Sequence, residues 1–396
     1  MTKLKYVANL LNKVIVDERA PGTELQVPFA INPEFNFRVH QKAPAEEMLN
    51  FTLENRYSML QAGCGVGKSV VNTWVAGKLG KKVLVLLDQS NLQAQWGEAF
   101  MQVWGKEAQL LNKKNCDSFG DVVVSTFQFL HSNPEVLKRM REEFGTCVVD
   151  EVHGSPAKTY RAVLCKLNNQ YRLGTSATIF RKGYSPELIT DLIADVSVTM
   201  TDDKALVPEI KFIDSGVSFV SGNPADFTKI LTKLAESDKR NSQIIELVRS
   251  LVAAGRRILL VGTRVEGLTH LQKEMSKFCK ALLYVGTTTH KQDQAMKDGI
   301  ESGEIDIVLS EKKFEKGLDA PRLDTLVISK PSNNQATITQ IVGRILRSVE
   351  GKPTPTVYDF VDKGDLSWCF AKNRYWWYRN AGYKMPETKP LFLKGK

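Results

Sequence analysis

The sequence predicts an α/β protein built as two tandem halves, each around a parallel sheet. Three observations carry this. Short apolar, β-branched runs alternate with amphipathic stretches, which is the rhythm of strand–helix–strand units. The rhythm breaks once, at Asp202-Asp203-Lys204 to Pro208, and then restarts. A length of 396 residues, at roughly 100–200 per domain, is enough for two domains that each bury a core.

The elements follow in order. Residues 1–36, apolar at Leu4, Val7, Leu10, Leu11 and Val14, read as a small accessory segment. In the first half, residues 37–203, strands are predicted over Tyr57–Gln61, Lys82–Leu87, Asp121–Ser125, Thr146–Val149 and Tyr171–Thr175, each followed by a turn and a helix. The run Pro186–Ala194 has helical spacing. In the second half, residues 204–365, the segment Val217–Asp226, with Ser221-Gly222-Asn223-Pro224, reads as a surface loop. A helix over Ser242–Ala254 follows, with Ile244, Ile245, Leu247, Val248 and Leu251 along one face. Strands are then predicted at Arg257–Gly262, Ala281–Val285, Ile305–Leu309, Thr325–Ile328 and Thr356–Phe360. Residues 366–396 form a basic, aromatic tail.

Composition excludes several classes. A charged fraction of 25% and an apolar fraction of 42% are those of a globular protein, not a disordered one. The best apolar run, Val83 to Leu87, falls far short of the roughly 20 residues that span a bilayer. The N-terminus lacks the apolar core of a secretory signal. The 6 cysteines include no C-x-x-C pair, so neither a zinc site nor a disulfide framework is indicated. The reading is a soluble protein of a reducing compartment, the cytoplasm. The formal charge of +10 fits either solubility or a polyanionic partner such as nucleic acid. It is uneven: residues 1–205 carry 24 basic and 22 acidic side chains, and the last 31 residues carry seven basic and one acidic.

The strongest local signal is Ala62-Gly63-Cys64-Gly65-Val66-Gly67-Lys68-Ser69, between a predicted strand and a predicted helix. Glycines let backbone N–H groups turn toward phosphate oxygens, and the following helix adds its positive end. Lys68 suits the β- and γ-phosphates and Ser69 a magnesium ion. Further on, Val148-Val149-Asp150-Glu151-Val152-His153 is an apolar strand ending in adjacent carboxylates. Asp150 suits a second contact to Mg²⁺, and Glu151 a base that orients water.

With these motifs the chain resembles a superfamily 2 helicase or translocase, on the DExH side near the XPB-like, RecG-like and UvsW-like DNA branch-migration enzymes. The resemblance covers residues 36–362. Motif II reads Asp150-Glu151-Val152-His153 and motif III Gly174-Thr175-Ser176-Ala177-Thr178. Motif Ia is like Val85–Trp96, with Leu92 and Gln95-Trp96 in place, and motif Ib like Val123–Gln128. Leu260–Arg264 looks like motif IV, and Val308–Ser310 leading to Gly317-Leu318-Asp319-Ala320-Pro321 like motif V. Gln340-Ile341-Val342-Gly343-Arg344-Ile345-Leu346-Arg347 is motif VI, and Phe37-Arg38-Val39-His40-Gln41 looks like the upstream adenine-reading element. Asp88-Gln89 departs from the usual Pro-Thr, and Glu311–Glu315 makes motif V unusually charged.

The resemblance implies two tandem RecA-like domains with the nucleotide site in the cleft between them, and ATP with Mg²⁺ as cofactors. It places Arg38 and Gln41 at the adenine, and Gly63, Gly65, Gly67, Lys68 and Ser69 at the phosphates. Asp150 joins Ser69 at the metal, and Gly317 and Asp319 lie near the ribose. Glu151 serves as base. Gln340 reads the γ-phosphate, and Arg344 and Arg347, expected on one helix face, stabilise its departure. Ser125, Thr126, Thr263, Arg264 and Ser310 contact the strand backbone, although each also suits a cap or a turn. The tail around Trp368–Arg379 fits base stacking or packing on the second domain. The implied activity is unwinding or translocation on branched DNA in recombination, replication or repair. Motif Ia lacks a Pro-Thr-Arg-Glu-Leu string and motif VI begins with Gln340, which points away from the DEAD-box class. A DExH RNA helicase and a translocase subunit of a restriction or remodelling assembly are the alternatives. No membrane partner is implied.

Overall fold

The computed structural model describes residues 21–25, 28–63, 65–152, 157–176, 186–201, 206–218, 227–286, 290–311, 320–347 and 349–393. Cys64, His153, Ala177, Thr178, the 202–204 break, Gly317, Leu318 and Asp319 lie outside them, as do the apolar positions Leu4 to Val14. The chain divides into two compact units, Met1–Thr201 and Asp202–Lys396.

The first unit is a seven-stranded sheet of β1 (Tyr57–Ala62), β2 (Val83–Leu87), β3 (Gln109–Leu110), β4 (Val122–Thr126), β5 (Thr146–Asp150), β6 (Tyr171–Ser176) and β7 (Val198–Met200). The order is β3-β4-β2-β5-β6-β1-β7, and every pairing is parallel. Strands covered on both faces need apolar side chains on both, and β2 obeys this. Its Val83, Val85 and Leu87 enter one core with Val71, Val75 and Phe100, while Leu84 and Leu86 enter the other with Phe127, Leu137 and Val163. The described part of the N-terminal segment belongs to this unit's core rather than standing apart. Leu25 and Phe29 are buried, Phe29 meets Trp104 at 5.9 Å, and Glu24 bridges Lys81.

The second unit is a six-stranded sheet, in the order β10-β11-β9-β12-β13-β8. Its strands are β8 (Glu209–Ser218), β9 (Ile258–Val261), β10 (Ala281–Tyr284), β11 (Ile307–Ser310), β12 (Thr325–Ile328) and β13 (Thr356–Lys363), again all parallel. Helices Asp238–Ala253 and Val265–Met275 cover one face through Ile244, Val248, Leu268 and Leu271. Helices His290–Glu301, Gln335–Arg344 and Asp365–Asn380 cover the other through Ile300, Ile341 and Tyr378. Sequence patterning missed β3, β7 and β8. The loop predicted from Val217 starts later, because β8 runs through Ser218.

The C-terminal residues are not a separate tail. Helix Asp365–Asn380 buries Ala371, Arg374 and Tyr378. Arg374 clamps Asp359 of β13 with Nε on Oδ2 and Nη2 on Oδ1, both at 2.7 Å, and Tyr378 donates its hydroxyl to Oδ2 at 3.0 Å. Beyond the helix, Phe392 packs edge-on against Phe212 of β8 at 5.1 Å. Among the described residues, no helix is long and apolar enough to cross a membrane.

Candidate nucleotide-binding site

The loop after β1 has the backbone its glycines predict. Gly65 (φ 82°) and Gly67 (φ 91°) are in the left-handed region, where a Cβ is costly. A Cβ on Gly67 would also collide with the Gln41 amide. That amide is buried and ties the upstream element to the loop: Nε2 donates to the Val66 carbonyl at 3.0 Å, and Oε1 accepts from the Arg38 backbone N–H at 3.0 Å. Arg38 Nη1 reaches the Gly65 carbonyl at 3.5 Å, and His40 Nε2 lies 3.1 Å from Val66 O. Among the described residues, chain neighbours apart, no atom comes within 4 Å of where a Cβ on Gly63 would stand. Helix Lys68–Lys78 starts from Gly67 with no side-chain cap, so its first N–H groups face the loop mouth. The Lys68 ammonium is at that mouth, donating to the carbonyls of Ala62 (3.3 Å) and Gly63 (3.2 Å).

Asp150 ends β5 beside Thr175 of β6. Its Oδ2 accepts from the Trp96 indole N–H at 3.0 Å and its Oδ1 from the Glu151 backbone N–H at 2.9 Å. Burial, then the neighbouring Glu151 charge, push its pKa up to about 6, against the lowering pull of the Trp96 hydrogen bond and the Lys68 ammonium. Glu151 has a left-handed backbone (φ 50°), uncommon for a residue with a side chain and concentrated at functional sites. The Ser176 hydroxyl donates to Glu151 Oε2 at 3.3 Å, which joins motif III to motif II.

These residues fit a magnesium–nucleotide group. The space before Gly63 and the uncapped helix start suit phosphate oxygens. Asp150, raised by burial and facing Lys68, is a carboxylate that a cation would return to its charged form.

The other expected residues divide by environment. Gln340 is half-buried on helix Gln335–Arg344. Arg344 and Arg347 do not share a helix face: the helix ends at Arg344, where the Ile345 N–H turns back to the Val342 and Gly343 carbonyls, and Arg347 follows in irregular chain. There the Lys352 ammonium binds the Arg347 carbonyl (2.8 Å) and the Pro321 carbonyl (2.6 Å), and burial pushes its pKa down to about 8. Ser125 and Ser310 are buried at their strand ends. The Thr126 hydroxyl caps helix Phe127–Ser132 by accepting from the Phe129 N–H at 3.1 Å. Thr263 donates to the Leu231 carbonyl at 3.2 Å. Arg264, at φ 56°, donates to that of Thr228 at 3.1 Å. Sequence reasoning missed Trp96 as a site residue. Its signal was an indole on the helix after β2, the strand next to β5, with an N–H that burial obliges to find an acceptor.

Comparison with known proteins identifies helicase relatives. Residues 34–181 match the family described as type III restriction enzyme, res subunit, and residues 239–349 match the helicase conserved C-terminal domain. The chain is 24% identical over 360 residues to Probable helicase D10 of Escherichia phage T5, covering 90% of this chain and 78% of that one. It is 23% identical over 343 residues to the ATP-dependent DNA helicase UvsW of Enterobacteria phage T4, covering 79% and 67%. Among solved structures, a fragment of an HsdR-type subunit of a type I restriction enzyme from Vibrio vulnificus aligns with a TM-score of 0.61 at 16% identity, over 90% of this chain and 68% of the fragment. Two RecA-like units and this pair of family matches place the chain among the superfamily 2 helicases, which use ATP to drive work on nucleic acid.

Proposed function

We propose that the protein is an ATP- and Mg²⁺-dependent DNA helicase or translocase acting on branched DNA, forks and four-way junctions, in recombination, replication or repair. The observation that carries it is the meeting of the phosphate loop with the carboxylate end of β5, where Lys68 and Asp150 lie within each other's electrostatic reach. DNA is favoured because UvsW, similar over most of this chain, is named a DNA helicase. The basic excess of the second half suits a phosphate backbone.

In this reading Lys68 leaves the loop carbonyls for the β- and γ-phosphates, and the N–H groups of Gly65 and Gly67 cradle them. Arg38 and Gln41 read the base side of the nucleotide. Ser69 and Asp150 are the residues that would hold a magnesium ion, which when bound offsets charge on the phosphates. Glu151 orients the attacking water and takes its proton. Gln340, Arg344 and Arg347 supply the second unit's share of the hydrolysis machinery, and Gly317 and Asp319 its share of the ribose contact. Ser125, Thr126, Thr263, Arg264 and Ser310 contact the strand backbone, Thr126 from the start of the helix that its hydroxyl caps.

The test is ATPase stimulation by single-stranded DNA, duplex, fork, four-way junction and RNA at one salt concentration. Forks and junctions should stimulate most. RNA exceeding every DNA would overturn the DNA assignment.

A further inference from the structure

Helix Asp365–Asn380 has two chemically different faces. One is the buried face of Ala371, Arg374 and Tyr378. The other carries Lys372, Trp376 and Arg379, spaced by four and then three residues and so on one side of the helix. Trp376 is 48% exposed, a large apolar surface to leave in water. The Arg379 guanidinium stands over its ring, 5.3 Å from the centroid, and Tyr375 meets it edge-on at 5.6 Å. The charges here are not balanced locally. Arg374 is neutralised by Asp359 and Lys384 lies 3.6 Å from Glu209, but among the described residues Lys372, Arg379 and Lys389 have no carboxylate partner. The last 31 residues hold seven basic side chains and one acidic.

An exposed indole flanked by uncompensated cations matches one ligand chemistry better than others: an unpaired base over a phosphate chain. Aromatic rings stack on any base, and cations beside them attract the backbone. We infer that this face of the C-terminal helix is a second nucleic-acid contact, formed by residues outside the motor motifs, that holds unpaired DNA with Trp376 as stacking platform and Lys372 and Arg379 on phosphates. The inference rests on the DNA reading above. It names a surface to which neither the family matches nor the motifs assign a role.

The experiment uses the full chain and a labelled single-stranded oligonucleotide, with affinity followed across a salt series. Trp376→Ala should weaken binding by about tenfold, and Trp376→Phe, which keeps a ring, should recover most of it. Lys372→Ala with Arg379→Ala should lower the slope of log affinity against log salt by about one to two. The thermal midpoint of each variant is measured alongside. Wild-type affinity and slope in all variants overturn the inference. So does an equal loss in Trp376→Ala and Trp376→Phe accompanied by a lowered midpoint, because that is the behaviour of a packing residue. Stimulation of the wild-type ATPase by DNA is the separate control: if it fails, the DNA reading fails. If it holds while the variants bind normally, only the helix surface is lost.

Discussion

In the first unit Asp150 is held at its strand end by two neutral N–H donors, from Trp96 and from Glu151. In the second unit the buried carboxylates on β13 are each matched by an arginine. Asp359 takes both arms of Arg374, and Asp362 takes Arg240 Nε at 2.7 Å. By sheet order β12 stands where β5 stands, between the counterparts of β2 and β6, yet it ends at Ile328 and is followed by Ser329, with no acid there. The difference teaches how one architecture serves two purposes. A carboxylate with a resident cation is a fastener. One held by uncharged donors stays raised to about 6 and keeps its demand for an exchangeable cation.

Glu151→Gln gives the sharpest test of the first unit's side of this contrast. It should lower kcat by about 10³ while nucleotide binding survives, read by ATPase and by a fluorescent nucleotide titration. An undiminished rate would remove Glu151 from the machinery. The second unit is tested by Arg374→Met, which strands the Asp359 charge and should cost about 3–5 kcal/mol in denaturant unfolding. Adding Asp359→Leu should regain most of that loss, because a carboxylate with no cation is worse than none. The smallest expected effect is Trp96→Phe, which removes one N–H and little volume. The Mg²⁺ concentration for half-maximal ATPase should rise about tenfold. The sign of the pH effect follows from the donor. Losing a hydrogen bond to the charged form raises the Asp150 pKa further above about 6, so activity should fall away at a higher pH on acidification. An unchanged acid limb would mean that Trp96 only fills space.

The central strands were legible in the sequence because burial on both faces favours unbroken apolar runs, as in Val83–Leu87 and Cys147–Val149. β8 was not, because as an edge strand it interleaves Glu209, Lys211 and Asp214 with its apolar residues. The phosphate loop was legible because left-handed backbone angles at Gly65 and Gly67 call for glycine there. Arg374 reads as one more surface cation in a basic stretch until β13 brings Asp359 against it. The end of the motif VI helix was also hidden, since Ile345 and Leu346 follow Ile341 and Val342 at the helical spacing of four while the chain leaves the helix after Arg344.

The place of β8 bears on how the second unit comes into being. Its register partner is β13, which pairs Glu209 with Thr356, so the first strand of the sheet waits for the last. Emerging from the ribosome, β8 is an unpaired edge until nearly the whole unit has been made, and β13 in turn keeps Asp359 unmatched until Arg374 and Tyr378 follow it. Contacts so far apart in sequence form slowly and leave strand edges open to neighbours meanwhile. During synthesis, this unit is the half of the chain with more to gain from a chaperone.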